Sequence, residues 1–344
     1  MRRLLTLSAL LAAGCAAPAP LGPPALAPQS SGTESLLIAA HAVSDDVVWV
    51  SGAGGAVGRT TDGGATWRTA VVPGADTLQF RDVVAFDAQT AWALSIGNGA
   101  SSRVVKTTDG GASWRTVWVN DRPEAFFDCL SFWDPLRGLA YSDSVDGELV
   151  ILTTADGGET WQRVPPESLP PALPGEGGFA ASGTCVATRG TGLAWVATGN
   201  ADPARVLRTD DGGRSWSASP APVVAGEAKG LASVAMWDDQ RGIAVGGDIG
   251  DPQSRADAVA VTADGGRTWQ RGGRLPFPGA AYGVATVPGT SAAVAVGPGG
   301  AALSRDGGRS WERFDDRAWW GVAAAGPDAV WLTGPDGRIA RVRM

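Results

Sequence analysis

The chain has 344 residues, 44% of them hydrophobic, with 28 basic and 35 acidic side chains and a net charge of −7. That acidic balance argues against nucleic acid and anionic lipid surfaces as partners. A single histidine, His41, argues against a histidine triad or a histidine-rich metal site, and with no C-x-x-C pair, P-loop or G-x-G-x-x-G opening a helix no cofactor is expected.

The first element is "MRRLLTLSALLAAGC" at 1–15. Arg2 and Arg3 precede the apolar stretch Leu4 to Ala13, which is too short to span a bilayer and reads as a secretory signal. "LAAGC" resembles a bacterial lipobox with Cys15 as the lipidated residue, although Leu11 sits one place further from Cys15 than usual. The small residues there would also serve ordinary signal peptidase. Residues 16–28, "AAPAPLGPPALAP", read as a semi-extended tether. Losing Arg2 and Arg3 with the signal leaves 26 basic against 35 acidic residues, a net of −9. The expected product is an exported, periplasmic, membrane-tethered monomer that meets the membrane only through its lipid anchor.

From residue 29 onward one phrase recurs. TTDGGATW, TTDGGASW, TADGGETW, TDDGGRSW, TADGGRTW and SRDGGRSW carry Asp62, Asp109, Asp156, Asp211, Asp264 and Asp306, spaced by 47, 47, 55, 53 and 42 residues. A period of forty-odd residues suits a four-stranded propeller blade. Alternating segments flank each copy, so Asp-Gly-Gly is the turn between the last two strands, c and d. The aspartate carboxylates bond turn amides, and six equivalent copies around a ring are structural. Each following tryptophan offers a large face to a neighbouring sheet.

Self-alignment places strand a of blades 1 to 6 at "LLIAAHAV", "FRDVVAFD", "FFDCLSFW", "GTCVATRG", "GLASVAMW" and "AYGVATV". His41 falls within the first of these. A seventh unit, "WWGVAAAGPDAVWLTGPDGRIARVRM", has strands a, b and c only, with Asp336 in its b–c turn. Residues 29–35 are expected to supply its missing strand d, which removes an exposed sheet edge. Residues 29–344 are therefore expected to form one all-β, seven-bladed propeller. Cys129 and Cys185 occupy equivalent places in strand a of blades 3 and 4, as a disulfide or as two buried thiols.

Function is expected where the repeats diverge. The long insertions are "SDSVDGEL", "GNADPA" and "GGDIGDPQSRADA" between strands b and c of blades 3, 4 and 5, and two linkers around "LPPALPGEGGFAAS" and "SPAPVVAGEAKG". All belong to one face. They carry Asp143, Asp146, Glu148, Glu176, Asp202, Asp248 and Asp251, with Arg122, Glu124 and Asp128 entering from that face. Asp128 stands where other blades have Ala232, Gly283 and Gly321, and aligns with Asp82 of blade 2. Asp128, Asp143, Glu176 and Asp248 are the catalytic candidates, as an acid/base pair, as ligands of a hard cation, or simply as solvated charge. Arg205 and Tyr282 are expected neighbours. The partner expected on this face is a protein or a glycan.

The repeats, such as "VVWVSGAGGAVGRTTDGGATW", resemble the Asp-box (BNR) repeat of sialidases and related propellers. From about residue 29 to the end the chain is similar to the photosystem II assembly/stability factor family. "FFDCLSFWDPLRGLAYSDSVDGELVILTTADGGETW" and "GEGGFAASGTC" resemble its bacterial branch. The resemblance implies a non-catalytic propeller that binds or assembles envelope components. The alternative is a glycoside hydrolase, sialidase-like or inverting. The sialidase version calls for an upstream Arg-Ile-Pro and a Tyr nucleophile; the chain has no Arg-Ile-Pro, and its only tyrosines are Tyr141 and Tyr282.

Overall fold

A computed structural model describes residues 23–344. The signal segment and Cys15 lie outside the described residues. Seven four-stranded antiparallel sheets follow one another, and the innermost strand of each packs on that of the next until the seventh meets the first. The fold is a seven-bladed β-propeller, all-β apart from two short 3-10 turns.

The blades hold together through apolar seams. Between blades 2 and 3, Trp92, Phe127, Leu130, Phe132 and Val150 form one buried cluster. Trp92 stacks on Phe132 with ring centroids 4.6 Å apart. Burying each such side chain contributes about 2–3 kcal/mol.

The Asp-Gly-Gly turns explain their own repetition. In the first, Asp62 Oδ1 accepts the Thr60 hydroxyl at 2.8 Å and the Thr66 amide at 2.8 Å, while Oδ2 accepts the Thr66 hydroxyl at 2.6 Å. The hydroxyl and amide of Thr66, then the hydroxyl of Thr60, hold the Asp62 carboxyl down at about 2. Gly63 and Gly64 both take positive φ, 68° and 87°, which a residue with a Cβ adopts only under strain. Asp109, Asp156, Asp211, Asp264 and Asp306 accept the equivalent hydroxyls and amides. All six carboxylates are thus engaged within their own turns.

Beside strand c of blade 7 (Arg338–Arg343) runs an antiparallel strand d, Ala25–Ser30, in a register from Ala25 opposite Arg343 to Ser30 opposite Arg338. The strand lies earlier than the expected 29–35, and the last residues of the expected tether belong to it. Its burial alternates poorly because it is an outer edge, so no apolar pattern marks it. Pro28 is tolerated there because an edge strand can spare one donor. Gln29 fixes the strand to blade 1, donating to the Gly63 carbonyl at 3.0 Å and accepting the Trp67 indole at 3.1 Å.

Blade 3 departs from the expectation in another way. "SDSVDGEL" is not a loop. Strands b (Gly138–Val145) and c (Glu148–Thr154) run on through it, with Val145 opposite Glu148. Asp146 and Gly147 make the turn at φ 54° and 78°, the two-residue geometry that matches strand twist.

Candidate functional site: a plugged channel mouth

Strand a of every blade lines the central channel. In blade 3 a bulge between Phe127 and Cys129 takes Asp128 out of the ladder, which re-aims its side chain. In blade 2 the matching bulge falls between Phe80 and Asp82. The residue equivalent to Asp128 is therefore Arg81, not Asp82. Matching the two aspartates by identity puts the strands one position out of register. Asp82 instead accepts the Leu130 amide of blade 3 at 2.7 Å and is buried, which pushes its carboxyl well up.

The linker from blade 3 to blade 4 crosses the channel mouth. The Gly178 amide donates to Asp143 Oδ1 at 2.9 Å. The Ala180 carbonyl accepts Arg81 of blade 2 at 2.9 Å. The Ser182 hydroxyl donates to the Tyr282 carbonyl of blade 6 at 2.7 Å. It also joins a chain through Thr184 at 2.6 Å to Ser233 of blade 5 at 2.7 Å. A segment bonded to blades on opposite sides of the ring lies across its axis. Residues 177–183 therefore plug the channel on the long-loop face. Gly177 and Gly178 make the approach feasible, because a Cβ on Gly177 would sit 1.9 Å from Asp143 Oδ1 and one on Gly178 2.6 Å from Asp128 Cγ.

Three of the four catalytic candidates anchor this plug. Asp128 is 1% exposed. Its carboxyl is pushed well up by burial and then by the charge of Asp143, against the Gly178 and Ala180 amides and the Arg81 guanidinium. Asp143 is raised to about 6, chiefly by burial. The two carboxyl groups lie close enough for the charge of Asp143 to raise Asp128, whose Oδ2 is buried without a protein partner, so one proton held by the pair removes the like-charge repulsion. Glu176 is buried and wholly committed. It accepts the Leu173 amide at 2.9 Å, the Thr198 hydroxyl at 2.8 Å and Arg205 Nε at 2.9 Å. Arg205 also pairs with its second oxygen and donates to the Pro171 carbonyl at 3.0 Å. Asp248 stands apart on blade 5. It accepts the amides of Gly250 at 3.0 Å and Asp251 at 3.1 Å, and pairs with Lys229 at 3.4 Å. The four acids do not converge on one open site.

The remaining candidates lie on the accessible rim. Glu124, Asp146, Glu148, Asp202 and Asp251 are exposed, and Arg122 is partly so. Tyr282 packs edge-on against Trp320 with centroids 5.4 Å apart. Cys129 and Cys185 are joined as a disulfide, with Cα atoms 6.0 Å apart. Among the described residues, no three His, Cys, Asp or Glu side chains gather to hold a metal ion. Sequence reasoning missed Arg81, Ser182 and Thr184, whose partners are far away in the chain, and took Asp82 for the counterpart of Asp128.

Below the plug the channel is a well of about 400 Å³, lined mostly by small apolar side chains with His41, Ser131, Thr188 and Thr286 among them. Desolvation lowers His41 to about 4, so its imidazole is neutral at physiological pH.

The fold and its plugged channel define a seven-bladed β-propeller built on Asp-Gly-Gly hairpins. No family model matches the chain, and no curated protein matches it. Solved structures do. A protein described as "YCF48 bound to D1 peptide" is 15% identical, with a TM-score of 0.65, over 95% of this chain and 98% of that one. "YCF48 from Cyanidioschyzon merolae" is 17% identical, with a TM-score of 0.65, over 93% and 99%. "Structure of U3-55K" is 11% identical, with a TM-score of 0.66, over 93% and 98%. At these identities the likeness establishes the fold.

Proposed function

We propose that this chain is a non-catalytic, assembly-factor-like propeller of the cell envelope that captures a protein partner on its long-loop face. The observation that carries this reading is the engagement of Asp128, Asp143 and Glu176 beneath the plug. Inverting hydrolysis needs two carboxyl groups about 6.5–9.5 Å apart with a water and a sugar between them. Here the paired acids are buried under the plug and electrostatically coupled, and the third is spent on an arginine. The similarity to a YCF48 structure that holds a D1 peptide supports capture of a polypeptide. The Cys129–Cys185 disulfide supports an oxidising compartment, and the expected lipidation of Cys15 would tether the propeller there.

Crosslinking and pull-down from native membranes, beside a glycan-hydrolysis screen, tests the proposal. Capture of a protein should weaken in a graded, salt-sensitive way when Arg122, Glu124 and Asp146 are replaced together by Gln, Gln and Asn, because rim charges mainly set encounter rates. Glycan turnover that survives purification and is lost in Asp143→Asn would overturn it. Cys15→Ser should release the protein from the membrane fraction.

A further inference from the structure

Six of the seven blades present an Asp-Gly-Gly turn to the preceding blade, and a shared device closes several of these junctions. In strands b and c a tryptophan stands opposite a cation: Trp49 with Arg59, Trp92 with Lys106, Trp195 with Arg208, Trp331 with Arg341. At three of these four junctions the cation reaches the carbonyl of the turn's first glycine in the next blade, and at two of them the indole does so as well; Trp49 and Arg59 donate instead to the Asp87 and Ala88 carbonyls of blade 2. Trp92 and Lys106 donate to Gly157 at 2.8 and 3.1 Å. Trp195 and Arg208 donate to Gly265 at 2.8 and 2.9 Å. Arg341 donates to Gly63 at 3.2 Å. Three of these cations also lie over their indole, at 5.3, 5.1 and 4.9 Å for Arg59, Lys106 and Arg341.

The junction between blades 3 and 4 lacks this clamp. Leu139 and Thr153 occupy the two positions. An indole is still present, but it comes from the end of strand a: Trp133 donates to the Leu193 carbonyl at 2.7 Å, and its ring lies 3.5 Å from where a Cβ on Gly213 would sit. The place of the cation is open. A groove of about 560 Å³ remains, lined by Trp133, Arg137, Thr153, Gln162, Asp210 and Arg214 among others. The corresponding space between blades 5 and 6 is closed by Ile243 and Val261, which lie within 3.0 Å of a Cβ built on Gly308.

We propose that this groove takes an arginine or lysine side chain from an extended segment of a protein partner. The incoming cation lies over Trp133 and donates to the Gly212 carbonyl, as Lys106, Arg208 and Arg341 do to the matching glycine at their own junctions. The surrounding charges are already engaged. Arg137 pairs with Asp134, Asp210 pairs with Arg208, and Asp211 is spent within its turn. Arg214 folds back on the Asp211 carbonyl at 3.0 Å. Arg267 does the same on Asp264 at 2.9 Å beside Arg208, so an arginine in that place coexists with a clamping cation. The groove opens on the turn face, so this contact is additional to capture on the long-loop face.

The test is an indole ¹⁵N NMR titration of the full chain with four Gly-Ser peptides that carry one central Arg, Lys, Gln or Glu. The Trp133 resonance, identified by its loss in Trp133→Phe, should shift with the Arg and Lys peptides at about tenfold lower concentration than with the other two. Thr153→Arg supplies the cation from the chain itself and should silence the titration while raising the Tm. Thr153→Lys serves if that variant does not fold, and Thr153→Val should titrate like the parent. Loss of peptide binding in Thr153→Arg with native capture unchanged supports the groove and leaves the long-loop reading standing. Equal shifts from the Gln peptide, or an Arg-peptide shift that persists in Thr153→Arg, overturn the groove alone.

Discussion

Asp143 Oδ1 accepts the Gly178 amide at 2.9 Å while the same carboxylate faces Asp128. The plug of the channel is therefore held by a titrating pair. Asp143 rises from 3.8 to about 6, and burial together with the charge of Asp143 raises Asp128 well above its ordinary value. Between those values the folded state holds more protons than the unfolded chain, so the pair favours folding at low pH. That contribution is fully present below about 3.8 and is lost as pH rises through about 6. Asp128→Asn keeps a donor toward Asp143 and removes the shared charge. We expect the variant to gain about 1–3 kcal/mol over the parent at pH 7.5 and little at pH 4. His41, neutral down to about 4, titrates in the opposite sense in both proteins, so the difference between their denaturation curves isolates the pair. A variant less stable than the parent at pH 7.5 would exclude a shared proton.

Glu176 and Arg205 clamp the root of the plug. Truncating one member of a buried pair costs about 3–5 kcal/mol, because the other charge is left unpaired. Glu176→Gln keeps some hydrogen bonds, so a loss of about 2–3 kcal/mol is expected in urea. Hydrogen exchange should speed up at the Gly177 and Gly178 amides before the blades open. Unchanged exchange there would show that the plug is held from its far end, at Ser182.

The closing strand should govern the integrity of the ring. Deleting residues 25–30 exposes the edge Arg338–Arg343 of blade 7, and exposed edges invite pairing with other chains. A Tm at least about 5 °C lower is expected, with oligomers visible in light scattering. Gln29→Ala alone should cost about 1 kcal/mol, since it cuts the bonds to Gly63 and Trp67. A deletion variant as stable and monomeric as the parent would refute closure by this strand.

The blades were legible because each copy of Asp-Gly-Gly sits between alternating segments, a local signal repeated six times. The closing strand was legible only as a gap after strand c of blade 7. Its position was not, because an exposed edge carries no apolar alternation. The hairpin through Asp146 looked like a loop because its residues are polar, while its ladder rests on backbone bonds that composition does not report. The equivalence of Arg81 and Asp128 was hidden because matching the like residues Asp82 and Asp128 sets the two strands one position out of register, although both carry the bulge at the same place. The acids under the plug read as solvated because what covers them, Ala180 against Arg81 and Ser182 against Tyr282, joins residues 99 and 100 positions apart.

The Cys129–Cys185 disulfide ties strand a of blade 3 to strand a of blade 4, across a sequence separation of 56. Closing a loop of that length in the unfolded chain is worth about 4 kcal/mol on the entropy account, and measured losses run about 2–5. The double variant Cys129→Ala, Cys185→Ala should therefore lose about 2–4 kcal/mol in oxidising buffer. Both sulfurs are fully buried, so reductant should reach them in the parent only through opening of the structure. Reduction of the native protein should then be slow and should speed up in mild urea. Cys185 directly follows Thr184, where the plug joins blade 4 and the hydroxyl chain to Ser233 begins. The double variant should consequently exchange faster at the Ala180 to Gly183 amides as well as unfold at lower urea. If stability falls while exchange in the plug stays at the parent's rate, the bond braces the ring alone and the plug is held by Arg81, Asp143 and Tyr282 without it.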